Sequence, residues 1–430
     1  MTQSSMLTTI APARAVRGAI TVPGDKSISH RALMLAAIAE GDSRITGLAT
    51  GADVLSTKSC LQQLGVVMES SSNALIVKGR GVSAWRASGQ PLDAGNSGTT
   101  MRLLSGILAT RPFATTLTGD ASLSRRPMRR VIAPLELMGA KIEATAEGTA
   151  PLTIHGNALR GIRYEMPVAS AQVKSCVLFA GLHAEGETIV IEPRATRDHS
   201  ERMLRAMGAK IHTEDHHIRI EKSVLRGMPL SIPGDFSSAA FLVAAALLLP
   251  NSNLFLTNVN FNPTRIALLE VLKQMGATIS LTALDEAGCE PIADLHVQSQ
   301  MLRGVRVNEE LVPQLIDEIP ILAVLATQAE GETIITGARE LRVKESDRLR
   351  ALATNLKAMG AQCEELPEGL IIRGPTRLRG ATLDSFHDHR IAMAFAIAGL
   401  CADVSTTIQN AECADISFPG FFELLRERCR

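Results

Sequence analysis

Lysine, serine and arginine stand close together in Val22-Pro23-Gly24-Asp25-Lys26-Ser27-Ile28-Ser29-His30-Arg31. The stretch reads as a strand end, a Pro-Gly turn and the first turn of a helix continuing through Ala32 to Ala37. A turn that opens into a helix leaves backbone N–H groups unpaired at the positive end of the helix dipole, and such a place favours an anion. Lys26 adds a mobile cation and Arg31 a forked one, and Ser27, four residues before Arg31, shares its helix face. Taken alone, the stretch reads equally well as a capped surface helix with ordinary basic residues.

Other stretches carry the same kind of ambiguity. Asn96-Ser97-Gly98-Thr99-Thr100-Met101-Arg102 is a small-residue turn opening a helix, and Gly98 lets backbone approach a ligand closely. Gly119 to Arg130 holds four arginines, Arg125, Arg126, Arg129 and Arg130, which form either a solvated face or a local anion site. Thr196-Arg197-Asp198-His199-Ser200-Glu201 places Arg197 and His199 at a helix start. In Arg342-Val343-Lys344-Glu345-Ser346-Asp347-Arg348, read as a helix, Lys344 and Arg348 are four apart and Glu345 is three before Arg348. That predicts a basic pair and a carboxylate on one patch, with an intrahelical ion-pair ladder as the plain alternative. Asp317-Glu318 precede an apolar helix and are either caps or acid–base groups awaiting a substrate.

The elements that must position these residues are visible in a repeat. Helices ending in Met138-Gly139-Ala140, Met207-Gly208-Ala209, Met275-Gly276-Ala277 and Met359-Gly360-Ala361, with a weaker copy at Leu64-Gly65-Val66, each lead into a short apolar strand. Glycine just past a helix end suits the left-handed position that stops it. Alternating with these are Ala-rich helices, apolar almost all round and therefore predicted to be buried, starting near His30, Thr99, Ala171, Ser237, Glu318 and His389. Six units, each with two helices and several strands, fill the chain. Ile20-Thr21-Val22-Pro23-Gly24-Asp25 recurs as Leu230-Ser231-Ile232-Pro233-Gly234-Asp235. Two such crossings predict two domains, one of residues 24–234 and a discontinuous one of residues 1–23 and 235–430, joined by a two-strand hinge.

The repeat also gathers the chemistry. The six buried helices start with Lys26-Ser27, Asn96 to Thr99, Ser170-Ala171-Gln172, Asp235-Phe236-Ser237, Asp317-Glu318 and Asp388-His389-Arg390. Caps explain serine, aspartate and asparagine at such places but not Lys26, Gln172 or Arg390. If the helix starts converge on one cleft, many cations and at least two carboxylates meet there. Binding two multiply charged phosphate and carboxylate ligands requires such a set.

Composition narrows the classes. At 430 residues, 46% hydrophobic and 20% charged, the chain suits a globular protein with large cores. Net charge is zero, and one Trp, one Tyr and 11 Phe are too few for stacking platforms, so nucleic acid is not an expected partner. Seven cysteines, with no CxxC pair, predict reduced thiols rather than a disulfide framework or a zinc knuckle. The densest apolar run, Phe241 to Leu249, is half of what a membrane span needs, and the N-terminus lacks an apolar signal core. A cytoplasmic location and no membrane partner are expected.

The motifs PGDKSISHR, GNSGTTMR, GDASLSRRPM, ASAQVKS, RDHSERML, PGDFSSAAF, IDEIPILA, LRVKESDRL and DHRIAMAF, in this order over residues 20–400, closely resemble the 5-enolpyruvylshikimate-3-phosphate synthase family. ASAQVKS, RDHSERML and DEIPILA look like its bacterial class II branch, which includes glyphosate-tolerant members. The resemblance implies an α/β fold of two domains, each of three βαβαββ units, arranged as an inside-out α/β barrel. It implies transfer of the enolpyruvyl group of phosphoenolpyruvate to the 5-hydroxyl of shikimate 3-phosphate through a tetrahedral intermediate, with release of phosphate, on the route to chorismate and the aromatic amino acids. No metal or organic cofactor is implied, and a monomer is expected.

Carried over position by position, the resemblance puts Lys26, Ser27, Arg31, Ser170, Gln172, Arg197, Asp317 and Lys344 on shikimate 3-phosphate. It puts Lys26, Asn96, Gly98, Arg126, Gln172, Arg348 and Arg390 on phosphoenolpyruvate. Asp317 matches the residue that takes the 5-hydroxyl proton, Glu345 the proton donor to the methylene, and Lys26 contacts both ligands. Two departures stand out. The last unit reads Asn410-Ala411-Glu412-Cys413-Ala414 where many class I members have a basic residue, and the class I substrate tyrosine is absent, with Arg197 expected to serve. The related UDP-N-acetylglucosamine enolpyruvyl transferases carry a reactive cysteine in the loop corresponding to Gly119–Pro127, which has none here. A non-catalytic anion-binding scaffold would not need Asp317 and Glu345 inside a basic cleft.

Overall fold

Six helices, α1 Lys26–Ile38, α2 Gly98–Leu108, α3 Ala171–Gly181, α4 Phe236–Leu248, α5 Ile319–Gln328 and α6 His389–Leu400, are buried nearly all round in the computed structural model, which describes residues 7–430. In α4 every residue from Phe236 to Leu247 is buried. A helix with no polar face must be enclosed, and small alanines let its neighbours come close.

Each of these helices is followed by a strand that lies at the heart of a small sheet: Glu40–Thr46, Ala114–Thr118, Thr188–Ile191, Asn253–Asn260, Gly331–Ile335 and Thr406–Gln409. Each has a parallel neighbour on one side and an antiparallel one on the other. Thr188–Ile191, for example, lies between Arg163–Glu165 (parallel) and His217–Ile220 (antiparallel). For Gly331–Ile335 the parallel side is reduced to the bridges Arg303–Glu330 and Arg306–Ile334. The equivalence reaches single residues, because Ser43, Thr115, Thr188, Thr333 and Thr406 are all buried at corresponding places in their strands. The six sheets have three or four strands each and none closes on itself. The inside-out description therefore holds in the sense of apolar helices covered by sheets, without a closed hydrogen-bonded barrel.

The second class of helix alternates with the first, at Ala52–Gln63, Arg129–Met138, His199–Ala206, Ala267–Gln274 and Arg348–Ala358. Glycine ends these as the Met-Gly-Ala pattern predicts: Gly139, Gly208, Gly276 and Gly360 have φ of 110°, 94°, 91° and 83°. The N-terminus carries a strand that the sequence did not announce. Leu7–Ile10 pairs antiparallel with Thr406–Gln409 and completes the last repeat's sheet.

The chain divides into two compact units. The inserted unit comprises Gly24–Ile232 with Glu286–Glu290; the discontinuous unit comprises the residues up to Pro23 with Pro233–Asp285 and Pro291–Arg430. The two related Pro-Gly stretches have parallel roles. Leu230-Ser231 pairs parallel with Ile45-Thr46 in the inserted unit, and Arg17–Thr21 pairs parallel with Asn253–Thr257 in the discontinuous unit. At Gly24 a Cβ would lie 1.8 Å from the Gly47 carbonyl oxygen, so no other residue fits without moving backbone. Besides these two passages, the turn at residues 286–290 of a hairpin also belongs to the inserted unit, because Glu290 is buried there against His199. No helix among the described residues is long and apolar enough to cross a membrane.

Candidate active site

In the inserted unit, three helix starts and one loop hold the predicted residues. Asp25 caps α1 by accepting from Ile28 N, which leaves Lys26 at the first turn, where its Nζ is 3.2 Å from Asp53 Oδ2. Asp53 comes from the first turn of Ala52–Gln63. Ser97 caps α2 and Ser170 caps α3. Gln172 joins the two helices: its Oε1 accepts from Arg102 Nη1 at 2.6 Å and its Nε2 donates to Thr99 Oγ1 at 2.9 Å.

Arg126 donates to Asn96 Oδ1 at 2.7 Å, while Asn96 Nδ2 donates to Asp120 Oδ2 at 2.7 Å. Gly98 stands beside this pair, since a Cβ there would be 2.8 Å from Arg102 Nη1 and 3.3 Å from Arg126 Nη1. The arginine run is thus divided: Arg126 is buried, while Arg125 and Arg129 are exposed and Arg129 donates to the Ala146 carbonyl. Local surface charge and a built guanidinium site are both present, on different residues.

Arg31 differs from its sequence reading. It is only 3% exposed, and it donates to Ser200 Oγ, Ser27 O and Ser175 Oγ at 2.7, 2.9 and 2.8 Å. Burial lowers its pKa to about 10 although Glu201 and Asp25 pull the other way. Arg31 ties α1 to α3 and to helix His199–Ala206, and it shares with Ser27 a bond to the main chain rather than an open face. Arg197 lies half-buried just before that helix.

His30 is buried toward helix Ala52–Gln63 and α2, with Nδ1 2.6 Å from Thr57 Oγ1, which is itself 2.6 Å from Thr100 Oγ1. Burial, then Lys26 and Arg31, hold its pKa well below the usual histidine value, and burial lowers that of His183 to about 4. A histidine whose folded pKa is depressed binds fewer protons folded than unfolded, so its contribution is present above about pH 6.5 and lost as pH falls below that. Urea unfolding is therefore expected to show stability falling from about pH 6.5 toward pH 4, by up to about 1.4 kcal/mol per pH unit per such histidine. A His183→Gln variant should have a shallower acid limb, and an unchanged limb would count against this assignment.

In the discontinuous unit the centre is Arg348, 1% exposed. Its Nε donates to Asp388 Oδ2 at 2.8 Å, its Nη2 to Glu345 Oε2 at 2.7 Å, and its Nη1 to Asp317 Oδ1 at 3.4 Å. Burial pulls its pKa down, but Asp388, Glu345 and Asp317 outweigh that and hold it above the ordinary arginine value. Arg390 Nε is also 3.4 Å from Asp317 Oδ1, and its Nη1 donates to the Asp317 carbonyl at 3.1 Å. Asp388, fully buried, caps α6 through Arg390 N and takes Ser346 Oγ at 3.1 Å.

Lys344 and Glu345 do not share a helical face with Arg348, contrary to the spacing argument. Residues Arg339–Val343 form a 3₁₀ turn, Lys344 is extended, and the helix starts only at Arg348 because Asp347 caps it through Arg350 N. Glu345 reaches Arg348 from the bend between that turn and the helix. In the last unit Asn410, with φ of 54°, donates to Asp384 Oδ1 at 3.3 Å, so its side chain serves a turn.

The sequence matches the EPSP synthase (3-phosphoshikimate 1-carboxyvinyltransferase) family over residues 10–425. The chain belongs to that family. It is 52% identical over 420 residues to the 3-phosphoshikimate 1-carboxyvinyltransferase of Halorhodospira halophila, covering 97% of this chain and 95% of that protein. It is 48% identical over 418 residues to that of Brevibacillus brevis, covering 97% and 98%. The solved EPSP synthase of Acinetobacter baumannii is 45% identical with a TM-score of 0.88, covering 99% of this chain and 98% of that one. The enolpyruvyl transferase NikO of Streptomyces tendae, at 18% identity, 99% and 97% coverage and a TM-score of 0.80, shares the fold. The candidate residues of the two units differ in character: cations and helix starts in the inserted unit, and carboxylates clamped by buried arginines in the discontinuous unit. The predicted residues have partners that the sequence left without a site role: Asp53, which it did not single out, for Lys26, and Asp120, Arg102 and Asp388, which it named only within their stretches, for Asn96, Gln172 and Arg348.

Proposed function

We propose that the chain transfers the enolpyruvyl group of phosphoenolpyruvate to the 5-hydroxyl of shikimate 3-phosphate. Asp317 takes the hydroxyl proton as the oxygen attacks C2 of phosphoenolpyruvate, while Glu345 delivers a proton to the methylene carbon; Lys26, the third catalytic residue, contacts both ligands. The tetrahedral intermediate then loses phosphate and a methyl proton, which restores the carbon–carbon double bond. Lys26, Asn96, Gly98, Arg126, Gln172, Arg348 and Arg390 hold phosphoenolpyruvate; Lys26, Ser27, Arg31, Ser170, Gln172, Arg197, Asp317 and Lys344 hold shikimate 3-phosphate. The protein acts as a cytoplasmic monomer.

The observation that carries this reading is the placement of two carboxylates, Asp317 and Glu345, on one buried guanidinium. An acid and a base for opposite ends of one reaction are then fixed by the same cation that faces the anionic donor. A coupled phosphate-release assay tests it: release with shikimate 3-phosphate and phosphoenolpyruvate is expected, and release with a sugar nucleotide acceptor instead would overturn it.

Gly98 bears on inhibition. The class II resemblance implies that tolerant members can place alanine at the matching position and so narrow the pocket, and here a Cβ would press on Arg102 and Arg126. Gly98→Ala is expected to raise the glyphosate inhibition constant by roughly tenfold or more, the size of effect that displaced polar contacts produce, with a smaller rise in the phosphoenolpyruvate KM. An inhibition constant for the unmodified enzyme as weak as that of alanine-bearing relatives would sink the idea.

A further inference from the structure

Three consecutive residues open helix His199–Ala206, and each buried polar side chain is held by a different part of the inserted unit. His199 Nδ1 meets Glu290 Oε1 at 2.7 Å, Ser200 Oγ accepts from Arg31 Nε at 2.7 Å, and Glu201 Oε1 pairs with Lys174 Nζ at 2.6 Å. None of the three is more than 3% exposed. Arg31 lies on α1 and Lys174 on α3, helices that already frame the site. Glu290 has a different origin. It follows the turn between strands Ser280–Ala287 and Glu290–Gln298, and the second of these pairs with Asn253–Asn260 in the discontinuous unit's sheet. Residues 286–290 nevertheless belong to the inserted unit: Glu290 is 1% exposed, Cys289 packs on that unit's core, and a Cβ on Gly288 would lie 3.5 Å from Ser231 N.

A buried carboxylate without a partner is costly, so an acid in this turn needs His199. With Glu290 as acceptor, His199 Nδ1 carries the hydrogen and the ring is fixed in one orientation. Arg197 is two residues before His199. A guanidinium gripping a phosphate by two parallel hydrogen bonds is sensitive to the aim of its backbone, and a displacement of about 1 Å costs much of the interaction. Lys174 also donates to the Thr196 carbonyl at 3.4 Å, so Arg197 lies between that hold and the one on His199, and the His199 hold is the one that comes from outside α1 and α3.

We propose that Glu290 is a positioning residue for the phosphate end of shikimate 3-phosphate, acting through His199 on Arg197. This rests on the reading of Arg197 as a ligand of that phosphate. Glu290 does not touch the ligand. It fixes the helix start from which Arg197 reaches it. The hairpin thereby supplies a specificity element to a cluster built otherwise from α1, α3 and their neighbours.

Steady-state kinetics with each substrate varied in turn test the proposal on the full chain. Glu290→Ala is expected to raise the shikimate 3-phosphate KM about tenfold, while the phosphoenolpyruvate KM stays within about twofold and kcat within about threefold. Glu290→Gln, which keeps an acceptor oxygen, should recover most of the loss. It also serves as the measurement should Glu290→Ala fail to fold, with a rise of about threefold expected for it alone. A merely structural defect would raise both KM values together or lower kcat alone, and either result overturns the proposal. Arg197→Gln separates the two layers of the argument. If it raises the shikimate 3-phosphate KM while the Glu290 variants leave that KM unchanged, the role of Glu290 falls and the reading of Arg197 stands. If Arg197→Gln itself leaves that KM unchanged, the reading of Arg197 falls and the proposal with it.

Discussion

Glu345→Gln is expected to lower kcat by about 10²-fold or more while leaving the affinity for both ligands within a few fold. Glutamine keeps the shape of the side chain and an oxygen that can still accept from Arg348 Nη2, now 2.7 Å from Glu345 Oε2. It cannot give up a proton to the methylene carbon of phosphoenolpyruvate. Arg348 would keep Asp388 and Asp317 as charged partners, so the guanidinium should stay in place and the donor should still bind. The split between kcat and KM is the informative part. A residue that merely held the donor would shift KM, whereas an acid that works only in the transition state shifts kcat and kcat/KM together. Pre-steady-state mixing with isotopically labelled phosphoenolpyruvate gives a second readout, because slow methylene protonation should reduce exchange of the methylene hydrogens with solvent. Near-normal turnover, or normal exchange with slow turnover, would remove Glu345 from this role.

What the sequence revealed about the site follows from how each residue is placed. Lys26, Asn96, Gly98, Ser170, Gln172, Asp317 and Arg390 stand at or beside starts of the buried helices, and those starts are readable twice over, as caps and as members of a repeat. Their partners come from elsewhere. Asp53 sits in the first turn of a helix of the second class, where an acid is an ordinary favourable residue for the dipole, and nothing in its spacing from Lys26 signals a pair. Glu290 shares its hairpin turn with Glu286, and its burial depends on which unit the turn enters. Glu345 was read in the right place by the wrong route: helical phase would put it on a face with Arg348, but Asp347 caps the helix after Glu345, and the pair forms across the cap. Arg31 shows the converse. Its charge and its position on α1 were legible, but the three oxygens that turn it inward lie on Ser27, Ser175 and Ser200, two of them remote in sequence.

Arg31 and Arg348 are both buried arginines, and their surroundings predict different consequences of removal. Arg348→Met is expected to reduce the unfolding free energy by about 3–5 kcal/mol, as for breaking a buried pair from one side. The reason is what stays behind. Asp388 is fully buried, and with Asp317 and Glu345 it would face two like charges without the cation that now reaches all three. Arg348→Lys should fall between, since an ammonium is a point charge without the fork that addresses three carboxylates at once. Arg31→Met leaves two serine hydroxyls and one carbonyl, all neutral, and the pKa of about 10 shows that burial already disfavours the Arg31 charge. Losing those hydrogen bonds should cost about 1–3 kcal/mol, less than the Arg348 effect. Urea titrations of the three variants check the order, with domain-resolved probes so that a loss confined to the discontinuous unit is seen as such. Equal destabilisation by Arg31→Met and Arg348→Met would show that the carboxylate cluster does not depend on its cation. The account of Asp317 and Glu345 as groups fixed by Arg348 would then fail with it.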